Sequence, residues 1–147
     1  MAVPQIREGI VFLCGILRRN KKHSSVDDIS FLVEGESVAF DELLRSMTLD
    51  IIRVKAHTHE LGIAAEYVWL KERYPESTLK SQGLIIHKTD RPEPRDRLVF
   101  DVISFCCADG REKQVYFDIT AFFDGEVSSW SEPSKFARKK IKEIYEL

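Results

Sequence analysis

The chain has 147 residues, of which 44% are hydrophobic and 31% charged, and its formal net charge is -2 at pH 7. A chain of this length is expected to form one domain, residues 1–147, with a single core and no need of disulfides. The small net charge excludes a general electrostatic attraction to nucleic acid or acidic lipid, so such binding would need a local patch.

The first apolar segment, residues 6–17, is compatible with either a helix or a buried strand, because helical spacing competes with a high content of Val, Ile and Phe. Its apolar run is too short to span a bilayer, and its basic cluster follows the run instead of preceding it as in a secretory signal. The three cysteines, Cys14, Cys106 and Cys107, lack the CxxC spacing of a zinc or redox site. These features predict a cytoplasmic protein with reduced cysteines and no membrane partner.

A short hairpin is predicted next. Residues 29–33 and 37–40 are rich in β-branched and aromatic side chains and are joined by Glu34-Gly35-Glu36, with glycine where a tight turn favours it. Two strands alone are marginal, so we expect them to join a larger sheet.

Two helices are predicted after this hairpin. Residues 41–59 begin with Asp41 as N-cap and carry an apolar stripe at steps of three and four residues. Leu61-Gly62-Ile63 is then expected to end this helix with a glycine cap. A second helix, residues 64–74, is apolar nearly all round and is stopped by Pro75.

Strands are predicted again further along the chain. Residues 84–87 form a plausible strand, and residues 91–96 form a proline-containing connection. Residues 98–105 and 115–123 then flank Asp109-Gly110, which is a strong signal for a hairpin with a two-residue turn. A three-residue loop with Gly110 in a bulge shifts the pairing by one residue, and we favour the first register because it keeps one apolar face intact.

In the favoured register Asp101 lies directly opposite Asp118. Two carboxylates across a sheet repel each other, so a basic side chain, a shared proton or a divalent cation is needed to compensate. A base such as Lys88, Arg95 or Arg97 is one explanation. The other is that Asp101 and Asp118 form a catalytic or metal-binding site.

The chain is predicted to end in an amphipathic helix after Pro133-Ser134. Its apolar positions include Phe136, Ile141 and Tyr145, and lysines and arginines occupy the other side. We interpret the charged side as solvated.

Motifs of known chemistry are few. Residues 54–71 have the spacing of a helix-turn-helix around Gly62, but the second helix is not basic, which argues against nucleic-acid binding. The HExxH, GxSxG, P-loop and GxGxxG motifs do not occur.

The sequence therefore predicts one α+β domain. It has an antiparallel sheet of about four or five strands, packed on a helix pair, with a C-terminal amphipathic helix. The expected function is non-catalytic protein binding, of the inhibitor, toxin-immunity or accessory type, without a cofactor. The alternatives are a metal-dependent hydrolase or nuclease using the paired carboxylates, and a helix-turn-helix DNA binder. The candidate anchors for a protein partner are aromatic residues: Phe105, Tyr116, Phe122, Trp130 and Tyr145.

Overall fold

The computed structural model describes residues 27–125 and 131–147. The predicted N-terminal segment, residues 6–17, and Cys14 lie outside this part of the chain. The described residues form these elements in chain order: β1 Asp27–Val33, β2 Glu36–Arg45, β3 Leu49–Lys55, α1 His59–Arg73, β4 Thr78–Lys88, β5 Arg97–Cys106, β6 Glu112–Asp118 and α2 Lys135–Tyr145.

The strands form one sheet in the order β1-β2-β3-β6-β5-β4. Neighbouring strands are antiparallel except β3 and β6, which run parallel with Leu49 opposite Gln114. Two antiparallel three-stranded units, β1 to β3 and β4 to β6, therefore meet at one parallel pair. The predicted α+β class is confirmed, but the sheet is mixed and six-stranded, not antiparallel with four or five strands.

Each helix packs on a different face of this sheet. Trp69 of α1 shares a buried cluster with Ile52 and Phe117. Ile141 of α2 shares a second cluster with the preceding strand residues, Ile51 and Tyr116. Because consecutive strand residues point to opposite faces, the two clusters lie on opposite sides of the sheet. The predicted helix pair on one side is thus replaced by one helix on each side.

The first predicted hairpin is confirmed as β1 and β2. Val33 pairs with Glu36, so Glu34 and Gly35 are the two turn residues. Both have positive φ, 51° and 84°, which is the backbone conformation of a type I′ turn.

The predicted helix over residues 41–59 is wrong. Residues 41–55 form the end of β2, a turn and β3, whose Ile51, Ile52 and Val54 are buried. The apolar steps of three and four arise because β2 contains a bulge between Glu42 and Leu44 and because β3 is covered on both faces. No helix precedes α1 among the described residues, so the helix-turn-helix is not formed.

The second predicted helix exists as α1 but begins earlier than expected. Thr58 caps it, with its Oγ1 accepting a hydrogen bond of 3.1 Å from the backbone N–H of Leu61. Gly62 therefore lies inside the helix and does not end a preceding one. Tyr74 follows the last helical residue, and Pro75 comes directly after it.

The long hairpin is confirmed as β5 and β6, but its second strand ends at Asp118 and not at residue 123. The favoured register is wrong by one residue. Asp101 pairs with Phe117, and Phe100 pairs with Asp118. The loop contains three residues, Ala108 to Gly110, with Gly110 at φ 89°. This is the alternative bulged loop, and it is tolerated because both faces of the hairpin are covered, so neither face has to be the apolar one.

Three further predicted elements are found in the structure. Residues 84–87 lie in β4, residues 91–96 connect β4 to β5, and the terminal helix is α2. Ser134 caps α2 through a 3.2 Å hydrogen bond from the N–H of Ala137 to its Oγ. Neither helix in the described part of the chain is long and apolar enough to cross a membrane.

An ion network ties α1 to the sheet at the C-terminal end of the helix. Asp50 is completely buried and accepts hydrogen bonds from Arg45 Nε at 3.1 Å, Tyr74 Oη at 2.8 Å and the Ser46 N–H at 3.1 Å. The buried Lys113 ammonium lies 3.1 Å from Asp50.

Glu42 completes this network. It accepts 2.9 Å hydrogen bonds from Nε and Nη2 of Arg73 and one of 2.8 Å from Trp69 Nε1. The network contains buried charges that are all paired, which is how such groups persist inside proteins.

Candidate functional site

A pocket of about 380 Å³ opens between α1, the edge strand β4 and the segment after β6. Aliphatic and aromatic side chains form much of its wall, and two carboxyl groups lie among them. We call it the acid pocket. Its lining residues are His59, Ile63, Glu66, Gln82, Gly83, Leu84, Asp101, Ile119, Phe122, Phe123 and Gly125.

Regular spacing brings these residues together. His59, Ile63 and Glu66 are four and three residues apart, so they share one face of α1. Asp101 lies in the middle of β5 and pairs across the sheet with Leu84 of β4. The helix and the two strands thus each contribute one wall.

Glu66 is the least expected residue of the pocket. Its side chain is completely buried, and neither of its carboxyl oxygens meets a hydrogen-bond donor among the described residues. Burial raises the pKa of Glu66 to about 11, and the neighbouring carboxyl group of Asp101 adds to the rise. Glu66 is therefore protonated at pH 7, and its O–H is able to donate to the Asp101 carboxylate.

Asp101, in contrast to Glu66, accepts a hydrogen bond from a neighbouring side chain. It is 6% exposed and accepts a hydrogen bond of 2.8 Å from Gln82 Nε2. The Oε1 atom of Gln82 in turn accepts a hydrogen bond from the Tyr67 hydroxyl. This chain of hydrogen bonds fixes the orientation of the Asp101 carboxylate from the rim of the pocket.

His59 and two phenylalanines form the end of the pocket nearest the start of α1. The His59 ring lies 6.4 Å from the Phe122 ring and 6.2 Å from the Phe123 ring. The buried Nδ1 atom of His59 has no hydrogen-bond partner among the described residues. A polar ring atom without a partner beside a cavity is available to a bound molecule.

The arrangement places a neutral carboxylic acid, Glu66, beside a second carboxyl group, Asp101. A carboxylic acid held neutral at pH 7 donates a hydrogen bond, and a neighbouring carboxylate accepts a proton. Buried titratable groups with a strongly shifted pKa are typical of sites that carry out acid–base chemistry.

Asp118, the other predicted carboxylate, is not part of this pocket. It lies on the α2 face, where it accepts hydrogen bonds from Tyr145 Oη at 2.7 Å and Thr120 Oγ1 at 2.6 Å. Arg53 Nε is 3.7 Å away. The sheet separates Asp118 from Asp101, so the shared catalytic or metal site predicted from their pairing is not assembled.

The predicted aromatic anchors have three different outcomes. Phe105 and Tyr116 are buried in the core and cannot contact a partner. Phe122 and Tyr145 are half-buried, and Phe122 lines the acid pocket. Trp130 lies outside the described residues.

No cluster of three or more His, Cys, Asp or Glu side chains suited to a metal ion occurs within residues 27–125 and 131–147. The wall of the acid pocket contains two carboxyl groups and one histidine ring. The raised pKa of Glu66 favours the protonated form of this carboxyl group over the ionised form.

Sequence reasoning identified Asp101 and Phe122 but missed Glu66. The available signal was an acidic residue inside the run Ala64-Ala65-Glu66-Tyr67-Val68-Trp69, which is otherwise apolar. A charged residue at a core position costs stability unless it is paired, so such a position is a candidate for function.

Comparison with known proteins gives no relative for this chain: no family model, no curated protein and no solved structure matches it.

Proposed function

We propose that the protein binds a small, largely apolar molecule with a carbonyl group in the acid pocket and transfers a proton to and from it. The observation that carries this proposal is Glu66, a completely buried acid without a donor in the wall of a cavity. A group of this kind lowers stability, and such groups persist where they serve function.

Glu66 and Asp101 have separate roles in this proposal. With a pKa of about 11, Glu66 keeps its proton at pH 7. Its single O–H turns from Asp101 to the incoming ligand and donates a hydrogen bond to the ligand carbonyl oxygen. Asp101 takes a proton from the carbon next to that carbonyl. The C–H bond breaks, an O–H bond forms on Asp101, and the electron pair moves to the carbonyl oxygen, where Glu66 stabilises the developing charge.

The other lining residues support these two. Gln82 positions Asp101, and the rings of Phe122 and Phe123 provide an apolar surface that excludes water. A drier site strengthens the hydrogen bond from Glu66.

Binding is tested by NMR titration with benzamide, whose carbonyl oxygen can accept from Glu66 and whose amide N–H can donate to Asp101. We expect shifts confined to residues of the acid pocket. Glu66→Met should abolish them, and Glu66→Gln, which keeps a neutral donor, should retain them. Glu60→Gln is the matched control because Glu60 is exposed on the same helix. Equal binding by the Glu66→Met variant would refute the assignment.

Proton transfer is tested by deuterium uptake into the methyl group of acetophenone in D₂O. The wild-type protein should accelerate the uptake, and Asp101→Asn should remove the acceleration while benzamide still binds. If the wild-type protein binds benzamide but does not accelerate the exchange, the pocket is a binding site only.

Protein binding, the function expected from the sequence, is a second candidate. Ile63 and Tyr67 lie one helical turn apart on α1 and are 38% and 41% exposed, which favours a contact surface at the pocket rim. The test compares the proteins captured by the wild-type chain and by Tyr67→Lys. A partner held equally by both does not use this surface.

We further propose that the protein works in the cytoplasm. The support is that both described cysteines, Cys106 and Cys107, are free thiols. Cell fractionation tests this, and recovery from an oxidising compartment would contradict it.

A further inference from the structure

We propose a second binding site, for the phosphate group of a small phosphate monoester, in a cavity on the opposite face of the sheet. The cavity measures about 230 Å³ and has four arginines in its wall: Arg53, Arg91, Arg95 and Arg97. We call it the arginine cavity. It is independent of the acid pocket, with which it shares no lining residue.

Two of the arginines are fixed by contacts. Arg53 Nη1 lies 3.2 Å from Asp41 Oδ2, and its guanidinium stacks over the Tyr145 ring at 5.6 Å. Arg91 Nη2 donates a hydrogen bond of 3.0 Å to the carbonyl oxygen of Glu146, just beyond the end of α2. These guanidinium groups are held in place at the cavity wall.

The other two arginines are available. Arg95 and Arg97 are exposed, and neither has an acidic partner within 4.0 Å among the described residues. The loop that carries Arg95 is ordered by backbone hydrogen bonds from Arg95 to Pro92 at 2.9 Å and from Thr89 to Asp96 at 2.8 Å. The available guanidinium groups are thus presented from defined backbone.

The charge balance favours a ligand with two negative charges. The acidic side chain in the wall is Asp118, which is 4% exposed and already bonded to Tyr145 and Thr120. Asp41 and Asp118 offset Arg53, whereas the three remaining guanidinium groups are not offset by an acid of the wall. Glu93 and Asp96 line a neighbouring cavity, whose wall also includes Arg97, and neither acid lies within 4.0 Å of the Arg97 guanidinium. Guanidinium groups bind phosphate oxygens through paired, charge-assisted hydrogen bonds.

The size and walls of the cavity favour a small ester over a polymer. Leu98, Pro94 and the Tyr145 ring offer an apolar surface to the organic part of the ligand. A nucleic acid would need an extended basic surface, and the net charge of the chain is -2.

The test is calorimetric titration of the full chain with phenyl phosphate at 0.15 M salt, so that exposed charges are screened. We expect saturable binding to the wild-type protein. The double variant Arg95→Gln/Arg97→Gln should bind about tenfold more weakly or worse, because each charge-assisted hydrogen bond is lost. Benzenesulfonate, a monoanion of similar shape, should bind more weakly than phenyl phosphate.

Lys71→Gln/Lys139→Gln is the matched control. It removes the same charge from two exposed lysines outside the cavity and should leave the affinity for phenyl phosphate within about twofold, as expected for screened surface charges. No binding to the wild-type protein, or equal loss in both double variants, would overturn the proposal. Tighter binding of a single-stranded oligonucleotide, lost in Arg95→Gln/Arg97→Gln, would assign the site to nucleic acid and also overturn it.

Discussion

Glu66 carries a proton in the folded protein at pH values where the unfolded chain would lose it, because its pKa is raised from 4.5 to about 11. Between these values the folded state binds more protons than the unfolded state. The stabilising contribution of this proton is fully present below pH 4.5 and is lost as the pH rises toward 11. The change amounts to at most about 1.4 kcal/mol per pH unit.

Glu66→Gln should remove this dependence, since glutamine does not titrate. Between pH 5.5 and pH 8.5, we expect the wild-type protein to lose up to about 4 kcal/mol of unfolding free energy relative to Glu66→Gln. Urea unfolding at several pH values measures the difference, and other titrating groups cancel in it. Glu60→Gln should show no comparable slope. Parallel curves for wild type and Glu66→Gln would mean that Glu66 is ionised in the folded state.

At the level of elements, the contact between α1 and the segment after β6 depends on Gly62. A Cβ atom at this position would lie 2.2 Å from Cε1 of Phe122. Alanine favours a helix over glycine by about 1 kcal/mol, but a clash in a packed region costs about 1–3 kcal/mol. We therefore expect Gly62→Ala to lower the melting temperature.

Truncating the ring should reverse the sign of that effect. In a Phe122→Ala background, Gly62→Ala should stabilise by about 1 kcal/mol, because only the helix preference remains. Melting curves of the four proteins in this cycle provide the test. If Gly62→Ala lowers stability equally in both backgrounds, the clash with Phe122 is not the cause.

The elements that local sequence determines were predicted well. Glu34-Gly35 takes the two positive φ values that its turn needs, and Ser134 caps α2 as a short polar residue before an amphipathic stripe should. Residues 41–59 were wrongly predicted as a helix, because a strand buried on both faces has no alternating pattern to distinguish it from a helix. The β-branched residues Ile51 and Ile52 indicated a strand more reliably than the apolar spacing indicated a helix.

The predictions of the hairpin register and of the paired-carboxylate site were wrong for a related reason. The favoured register assumed that one face of the hairpin had to be apolar, but both faces are covered, so that argument did not apply. Asp101 was identified for a wrong reason: its neighbour is Glu66, which is distant in sequence. The contact between Glu66 and Asp101 depends on how α1 packs on the sheet, and no local sequence pattern predicts that packing.

On the scale of the whole molecule, Asp50 of β3 contacts residues of β2 and β6 and also Tyr74, the residue that follows α1. Replacing it with alanine would leave the Lys113 ammonium, which is 6% exposed, without its acidic partner. Breaking a buried pair from one side costs about 3–5 kcal/mol. We expect a loss of this size for Asp50→Ala in urea unfolding. Asp90→Ala, at an exposed position, should change stability by less than about 0.5 kcal/mol. A small effect of Asp50→Ala would show that the Lys113 ammonium is satisfied without Asp50, by water or by the Ser46 carbonyl oxygen to which it donates at 2.6 Å.

The parallel pairing of β3 with β6 has a consequence for how the chain assembles. Each antiparallel unit forms from neighbouring segments, whereas Leu49 meets Gln114 only after a long stretch of chain has closed. Until then both inner strands present unsatisfied backbone groups at an edge. At high concentration, β3 of one molecule can reach β6 of another before its own, so refolding from denaturant should yield domain-swapped dimers in proportion to protein concentration.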